Sequence, residues 1–139
     1  MGPGPIRRRA LIAAALLAAL ALPAAAPAGP PQRIVSLNLC ADSMLLELVD
    51  PARIVSLTAL SLDPDLGHFH ERAASLQAQG LHFNDGLAEQ VLPLAPDLVV
   101  VMADAAPFTR RLLQRFGLPV LELEPGERLA SFRRNFRRL

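Results

Sequence analysis

Between Asp63 and His82 the chain gathers the side chains best suited to chemistry: Asp63, Asp65, His68, His70 and His82. Imidazole and carboxylate together suit zinc, manganese or iron, and a small exported metal-dependent hydrolase using His68 and His70 is the enzyme this pattern allows. On a strand, a spacing of two would set both imidazoles on one face. Here the context is a helix start, where residues two apart diverge by about 200 degrees. Solvated histidines at a helix terminus therefore fit the spacing better than a metal pair. Asp63 and Asp65 flank Pro64, which favours turn chemistry over paired acid–base carboxylates. No metal ligand is assigned.

The single cysteine, Cys40, lies at a helix N-terminus, a position that lowers a thiol's pKa and can make it a nucleophile. An enzyme would also need a base and an oxyanion site, and no local signature supplies them. A small semi-buried thiol that helps close its loop is the simpler reading. A Gly-rich phosphate cradle is absent as well. These residues lead to the expectation of a non-enzyme with no catalytic residue and no resident cofactor.

The elements that must position these residues begin with Gln32–Asp42, QRIVSLNLCAD. Ile34, Val35, Ser36 and Leu37 read as a short buried strand, and the polar loop Asn38 to Asp42 opens an apolar helix with Asp42 as its N-cap. A strand feeding a helix in this way is the first half of a βαβ unit, whose ligands sit at the carboxyl ends of the strands. Arg53–Leu57, RIVSL, repeats the first strand nearly letter for letter and runs into the long loop Thr58–Gly67. A polar helix over 68–78 follows, then a brief strand at Leu81–Phe83. Asp85 is expected to cap a helix over 87–94 that Pro96 ends.

Leu98–Met102, LVVVM, is continuously apolar and β-branched, as a central strand covered on both faces would be. A helix over 108–116 is expected to turn Leu112, Leu113 and Phe116 inward and Arg110, Arg111 and Arg115 outward. Val120–Leu123 is a fifth strand, and a last helix spans 129–139. This alternation predicts an α/β, Rossmann-like fold with a roughly five-stranded parallel sheet flanked by helices.

Residues 1–28 read as a signal peptide. Arg7, Arg8 and Arg9 precede an apolar run from Ala10 to Leu22, and Pro23–Ala28 is small and Pro-broken. Cleavage after Ala28 is expected, because cutting after Ala26 would leave Pro27 first. The run is too short for a membrane span, which takes about 20 apolar residues. Its Arg run bears a weak resemblance to a twin-arginine signal. Cys40 lacks the small-residue lipobox of a lipoprotein, so the mature chain is read as exported and soluble. Removing the signal removes three arginines and leaves a slightly acidic chain that contains no lysine. That balance, with neither Trp nor Tyr for stacking, argues against a nucleic-acid partner. What remains suits one modest domain.

The order RIVSL, NLCAD, RIVSL, GLAEQVLPLAPDLVVV and GLPVLEL resembles the N-terminal lobe of periplasmic substrate-binding proteins of the ferric-siderophore and cobalamin class, which serve ABC importers. The most specific stretch is Gly86–Val100, where a helix bearing Glu89 leads through Pro96-Asp97 into the buried strand. The resemblance implies that residues 29–125 form an N-terminal α/β lobe and that 126–139 begin the helical segment leading to a second lobe. That lobe lies outside this sequence, which implies a fragment or a truncated gene. It further implies a monomer that captures an iron-siderophore, haem or cobalamin-like metal complex and delivers it to a membrane permease. The ligand face would comprise Asn38, Leu39 and Cys40 in the first loop, Leu60 in the second, Phe83 and Asn84 in the third, and Asp104 in the fourth. Cobalamin-binding relatives carry Trp or Tyr in some of these loops, whereas Phe83 is the aromatic residue placed there here. This difference argues for an iron chelate, haem or another metal complex over a corrinoid. Glu89 would dock against permease arginines. An ordinary first-turn glutamate favourable to the helix dipole is its other reading.

Overall fold

A computed structural model describes residues 29–125 and 129–139; the expected signal peptide, 1–28, lies outside the described residues. The chain divides into two units, Met1–Pro30 and Pro31–Leu139, and the second holds all the regular elements described. These are β1 (Ile34–Ser36), α1 (Leu39–Leu48), β2 (Ile54–Thr58), α2 (His70–Ala78), β3 (His82–Asn84), α3 (Ala88–Val91), β4 (Leu98–Met102), α4 (Pro107–Arg115), β5 (Val120–Leu123) and α5 (Leu129–Phe136). Short 3₁₀ turns cover Pro51–Arg53, Ala59–Leu62 and Leu92–Leu94.

All five strands are parallel, in the order β3-β2-β1-β4-β5. The expected α/β sheet with flanking helices is therefore present. Because side chains alternate along a strand, β1, β2, β4 and β5 each feed two cores. Ile34, Ile54, Leu57, Val100, Met102 and Leu123 face Ala41, Met44, Leu45 and Leu46 of α1 and Ala73 of α2. Val35, Val99 and Val101 face Ala88 and Val91 of α3 and Leu113 of α4. The chain thus winds over one face as far as β3 and over the other through α3 and α4, before α5 returns to the α1 side. It reverses between β1 and β4, which pair through Ile34↔Leu98, Val35↔Val99 and Ser36↔Val100.

Asp97 gives the Pro-Asp step before β4 its physical purpose. Its carboxylate accepts from the backbone N–H groups of Gln32 at 2.7 Å and Arg33 at 2.8 Å. The entry to β1 is thereby locked against the entry to β4.

Several boundaries differ from the sequence expectation. Helix α1 begins at Leu39, not after Asp42, because the Asn38 carbonyl already accepts the first helical bond from the Asp42 N–H at 3.0 Å. The opening loop collapses to Leu37–Asn38, and Leu39 and Cys40 lie in the first turn of the helix. The helix expected over 87–94 is α-helical only from Ala88 to Val91. Pro93 has no N–H for the next helical bond, and the chain tightens into the 3₁₀ turn Leu92–Leu94. Asp85 does not cap that helix; Gln90 reaches back instead, accepting from the Asp85 N–H at 2.7 Å and donating to its carboxylate at 2.9 Å.

Helix α4 departs furthest. Leu113 alone of its three leucine and phenylalanine candidates is buried, while Leu112 and Phe116 are exposed. Arg110 folds inward, donating to the Ala103 carbonyl at 2.5 Å and pairing with Glu122 at 3.2 Å.

Candidate functional site

In an open parallel sheet the ligand crevice lies beyond the strand carboxyl ends, where the winding reverses. Here that point is the gap between the ends of β1 and β4. Asn38 spans it: its side-chain oxygen accepts from the Met102 N–H at 3.1 Å, so the start of α1 is tied to the end of β4. Ser36 donates its hydroxyl to the Asn38 carbonyl at 3.2 Å, which holds the same turn from behind.

Beside this crevice runs an open groove of about 400 Å³. One wall is a stripe of α1 at helical spacing, Cys40, Ser43, Met44 and Glu47; Met102 of β4 and Phe69 add apolar surface, and Asn135 and Phe136 of α5 close the far side. Asn135 fixes that far wall. Its amide accepts from the Glu124 N–H at 2.9 Å and donates to the Glu124 carbonyl at 2.8 Å. Arg134 pairs with the Glu124 side chain and holds its carboxyl below the usual carboxylate range.

Beneath the crevice lies a buried polar layer at the ends of β1, β2 and β3. The Asn84 amide donates to the Ser36 carbonyl at 3.0 Å, the Leu57 carbonyl at 3.0 Å and the Ser56 hydroxyl at 2.8 Å. Its oxygen accepts from the Gly86 N–H at 2.9 Å, closing a turn in which Gly86 takes φ of 78°, a region that suits glycine. Asp42, also fully buried, accepts from the Thr58 N–H at 3.2 Å and from the Thr58 hydroxyl. Burial pushes its carboxyl up to about 6, against the pull of its hydrogen bonds from Ser36 and Thr58. Ser61 donates to the Thr58 carbonyl at 2.8 Å and so anchors the 3₁₀ turn that carries Leu60.

The expected ligand residues therefore separate into two groups. Cys40, Leu60 and Asp104 are exposed around the crevice, and Asn38 and Leu39 are half-buried at its floor. Asn84 is fully buried with its side chain committed to strand ends, and Phe83 is a β3 residue packed against the α1 core. Both lie within β3 and not in the loop beyond it: Phe83 falls in the strand expected there, and Asn84 joins it because β3 ends one residue later than its sequence suggests. Glu89 is exposed in the first turn of α3.

Among the described residues no three His, Cys, Asp or Glu side chains come together as a metal site would require. His68 stacks edge-on against Phe69, with ring centroids 4.8 Å apart. His70 Nδ1 lies 3.3 Å from the Gly67 carbonyl. Asp63 Oδ1 accepts from the Asp65 N–H at 2.8 Å, which is the turn chemistry expected across Pro64. Ser56 Oγ approaches His82 Nδ1 at 3.1 Å, a nucleophile–base distance, but Ser56 is fully buried inside β2 and beyond the reach of a substrate. The geometry supports reversible binding at the sheet's carboxyl edge.

Comparison with known proteins bears on what such a lobe is. No family model matches the chain, and no curated protein does. Among solved structures, a periplasmic heme-binding protein from Pseudomonas aeruginosa is similar at a TM-score of 0.59 and 22% identity, over 78% of this chain and 37% of that one. A possible iron-binding, periplasmic solute-binding protein from Staphylococcus epidermidis is similar at 0.59 and 17%, over 79% and 41%. The siderophore-binding protein BauB, bound to two molecules of acinetobactin and ferric iron, is similar at 0.50 and 17%, over 70% and 32%. The fold is that of a periplasmic binding-protein lobe. The chain spans less than half the length of each of these proteins.

The residues of this lobe that sequence reasoning missed are Phe69, Met102, Thr58 and Ser61. Thr58 and Ser61 carried a signal, since polar residues immediately after an apolar parallel strand lie where the strand ends need partners. Phe69 carried none, because its place in the groove depends on how the Thr58–Gly67 loop folds back.

Proposed function

We propose that this chain is the substrate-binding component of an ABC importer, which captures an iron-siderophore, haem or cobalamin-like metal complex in the periplasm and delivers it to a membrane permease. The observation that carries this reading is the largely apolar groove beside the winding reversal, lined by Cys40, Met44, Phe69 and Met102. The face of a haem is broad and largely apolar, and a groove lined mainly by apolar side chains, with Glu47 its charged wall residue, suits such a face. The similarity to a heme-binding and a siderophore-binding protein supports the same ligand class.

In this reading Asn38, Leu39, Cys40, Leu60 and Asp104 meet the ligand, while Phe83 and Asn84 act from beneath by setting the strand ends. One lobe offers half a binding surface, and a second lobe would supply the enclosure that buries most of a ligand. Glu89 docks on the permease, and the protein works as a monomer. Binding, closure and docking make up the mechanism, with no bond made or broken.

Titration of the chain with a ferric siderophore, haem and cobalamin, followed by melting temperature, tests this. A ligand that binds only the folded state at about a hundred times its Kd stabilises by about 2.7 kcal/mol. The expected result is a rise with an iron chelate or haem. A folded chain whose melting temperature is indifferent to all three would contradict the reading, and a rise with zinc alone would favour the hydrolase.

A further inference from the structure

Helix α4 carries its large apolar side chains on the outside. Phe108 is 83% exposed, Leu112 41% and Phe116, at the helix's end, 63%. Spaced four apart, they form a single stripe about 12 Å long. Arg111 and Arg115 are exposed beside it, and neither joins an ion pair among the described residues. No carboxylate occurs between Pro107 and Gly117. The stripe is not needed to hold the helix, which is anchored by buried Leu113 and by the inward bonds of Arg110.

We propose that this face of α4 seats on an anionic phospholipid surface, with Phe108, Leu112 and Phe116 entering the boundary between headgroups and acyl chains and Arg111 and Arg115 meeting lipid phosphates. A convex helix presents no pocket for a specific side chain, and aromatic and leucine side chains flanked by exposed guanidinium groups are the combination that an anionic interface accepts. A second copy is a poor occupant, because two such faces would bring their arginines together with no carboxylate on either helix. This inference stands apart from the ligand reading, since α4 lies on the opposite face of the sheet from the groove-lining helix α1.

The chain contains neither Trp nor Tyr, so the indole introduced by Phe116→Trp in the full chain reports on α4 alone. With vesicles of equal parts phosphatidylglycerol and phosphatidylcholine, its emission moves to the blue and is quenched by lipids brominated on their acyl chains. Adding R111E and R115E weakens partitioning by at least about thirtyfold, on the basis of roughly 1 kcal/mol for each arginine lost at an anionic surface, with an unchanged far-UV circular dichroism spectrum. Should the reversal variant fail to fold, R111Q and R115Q carry the same comparison in the same direction. An emission that ignores both lipids, as it would if an acidic protein were the true occupant, overturns the proposal. So does a shift that is equal on pure phosphatidylcholine and insensitive to the arginines, or an indole already shielded from acrylamide in buffer by self-association.

Discussion

The Asn84 side-chain amide reaches the Ser36 carbonyl at 3.0 Å, joining residues 48 positions apart across the intervening strand β2. The same nitrogen serves Leu57 and Ser56 of β2, so one side chain sets the relative positions of three strand ends. Asn84→Ala leaves these buried acceptors without their donor and is expected to cost about 2–4 kcal/mol. Urea unfolding measures the loss; a change below about 0.5 kcal/mol would show that the clamp is redundant.

Asp42 makes stability depend on pH in an unusual direction. Its carboxyl titrates near 6 when folded, above its ordinary 3.8, so between these values the folded chain holds more protons than the unfolded one. The contribution is fully present below about pH 4 and is lost as pH rises through 6, by roughly 3 kcal/mol. Asp42→Asn removes the titration. Unfolding measured from pH 4 to 7 should show wild type losing stability relative to D42N across this window, and a constant difference would contradict the assignment.

Gly67 is buried where the Thr58–Gly67 loop closes on itself. A Cβ there would lie 2.7 Å from the Ser61 carbonyl oxygen and 3.1 Å from that of Asp63. Both neighbours are backbone, so Gly67→Ala must shift the loop, at a cost of about 1–3 kcal/mol. Because this loop carries Leu60 and leads into Phe69, the variant should also weaken the ligand-induced rise in melting temperature, and an unaltered rise would separate the loop from the site.

Glu89 is exposed, so Glu89→Arg should cost no more than about 1 kcal/mol of stability through the helix dipole and leave the ligand-induced melting shift intact. Cellular uptake of the ligand should nevertheless fall. Normal uptake by E89R would remove permease docking as its role.

The sheet was legible in the sequence because parallel strands covered on both faces read as short apolar runs, as LVVVM does with bounds that match β4. The chain's reversal between β1 and β4 was not, since strand order depends on contacts between distant residues. Helix α4 misled for a related reason. Its pattern contains an apolar stripe, and periodicity reports that a stripe exists without saying which side faces the sheet. Asn84 and Asp42 looked like loop and cap residues because polar side chains beside strand ends are commonly exposed. Here each is buried with partners far along the chain, from Thr58 for Asp42 to Ser36 for Asn84, and no local pattern signals such pairings.

Amide chemical shifts of the ¹⁵N-labelled chain test most directly whether ligand binds at the carboxyl edge of the sheet. On addition of the haem or ferric siderophore that raises the melting temperature, perturbations are predicted to concentrate at Leu37–Cys40, Thr58–Ser61 and Met102–Asp104. Perturbations gathered instead at the opposite edge, around Pro51 and Gly80, would contradict it.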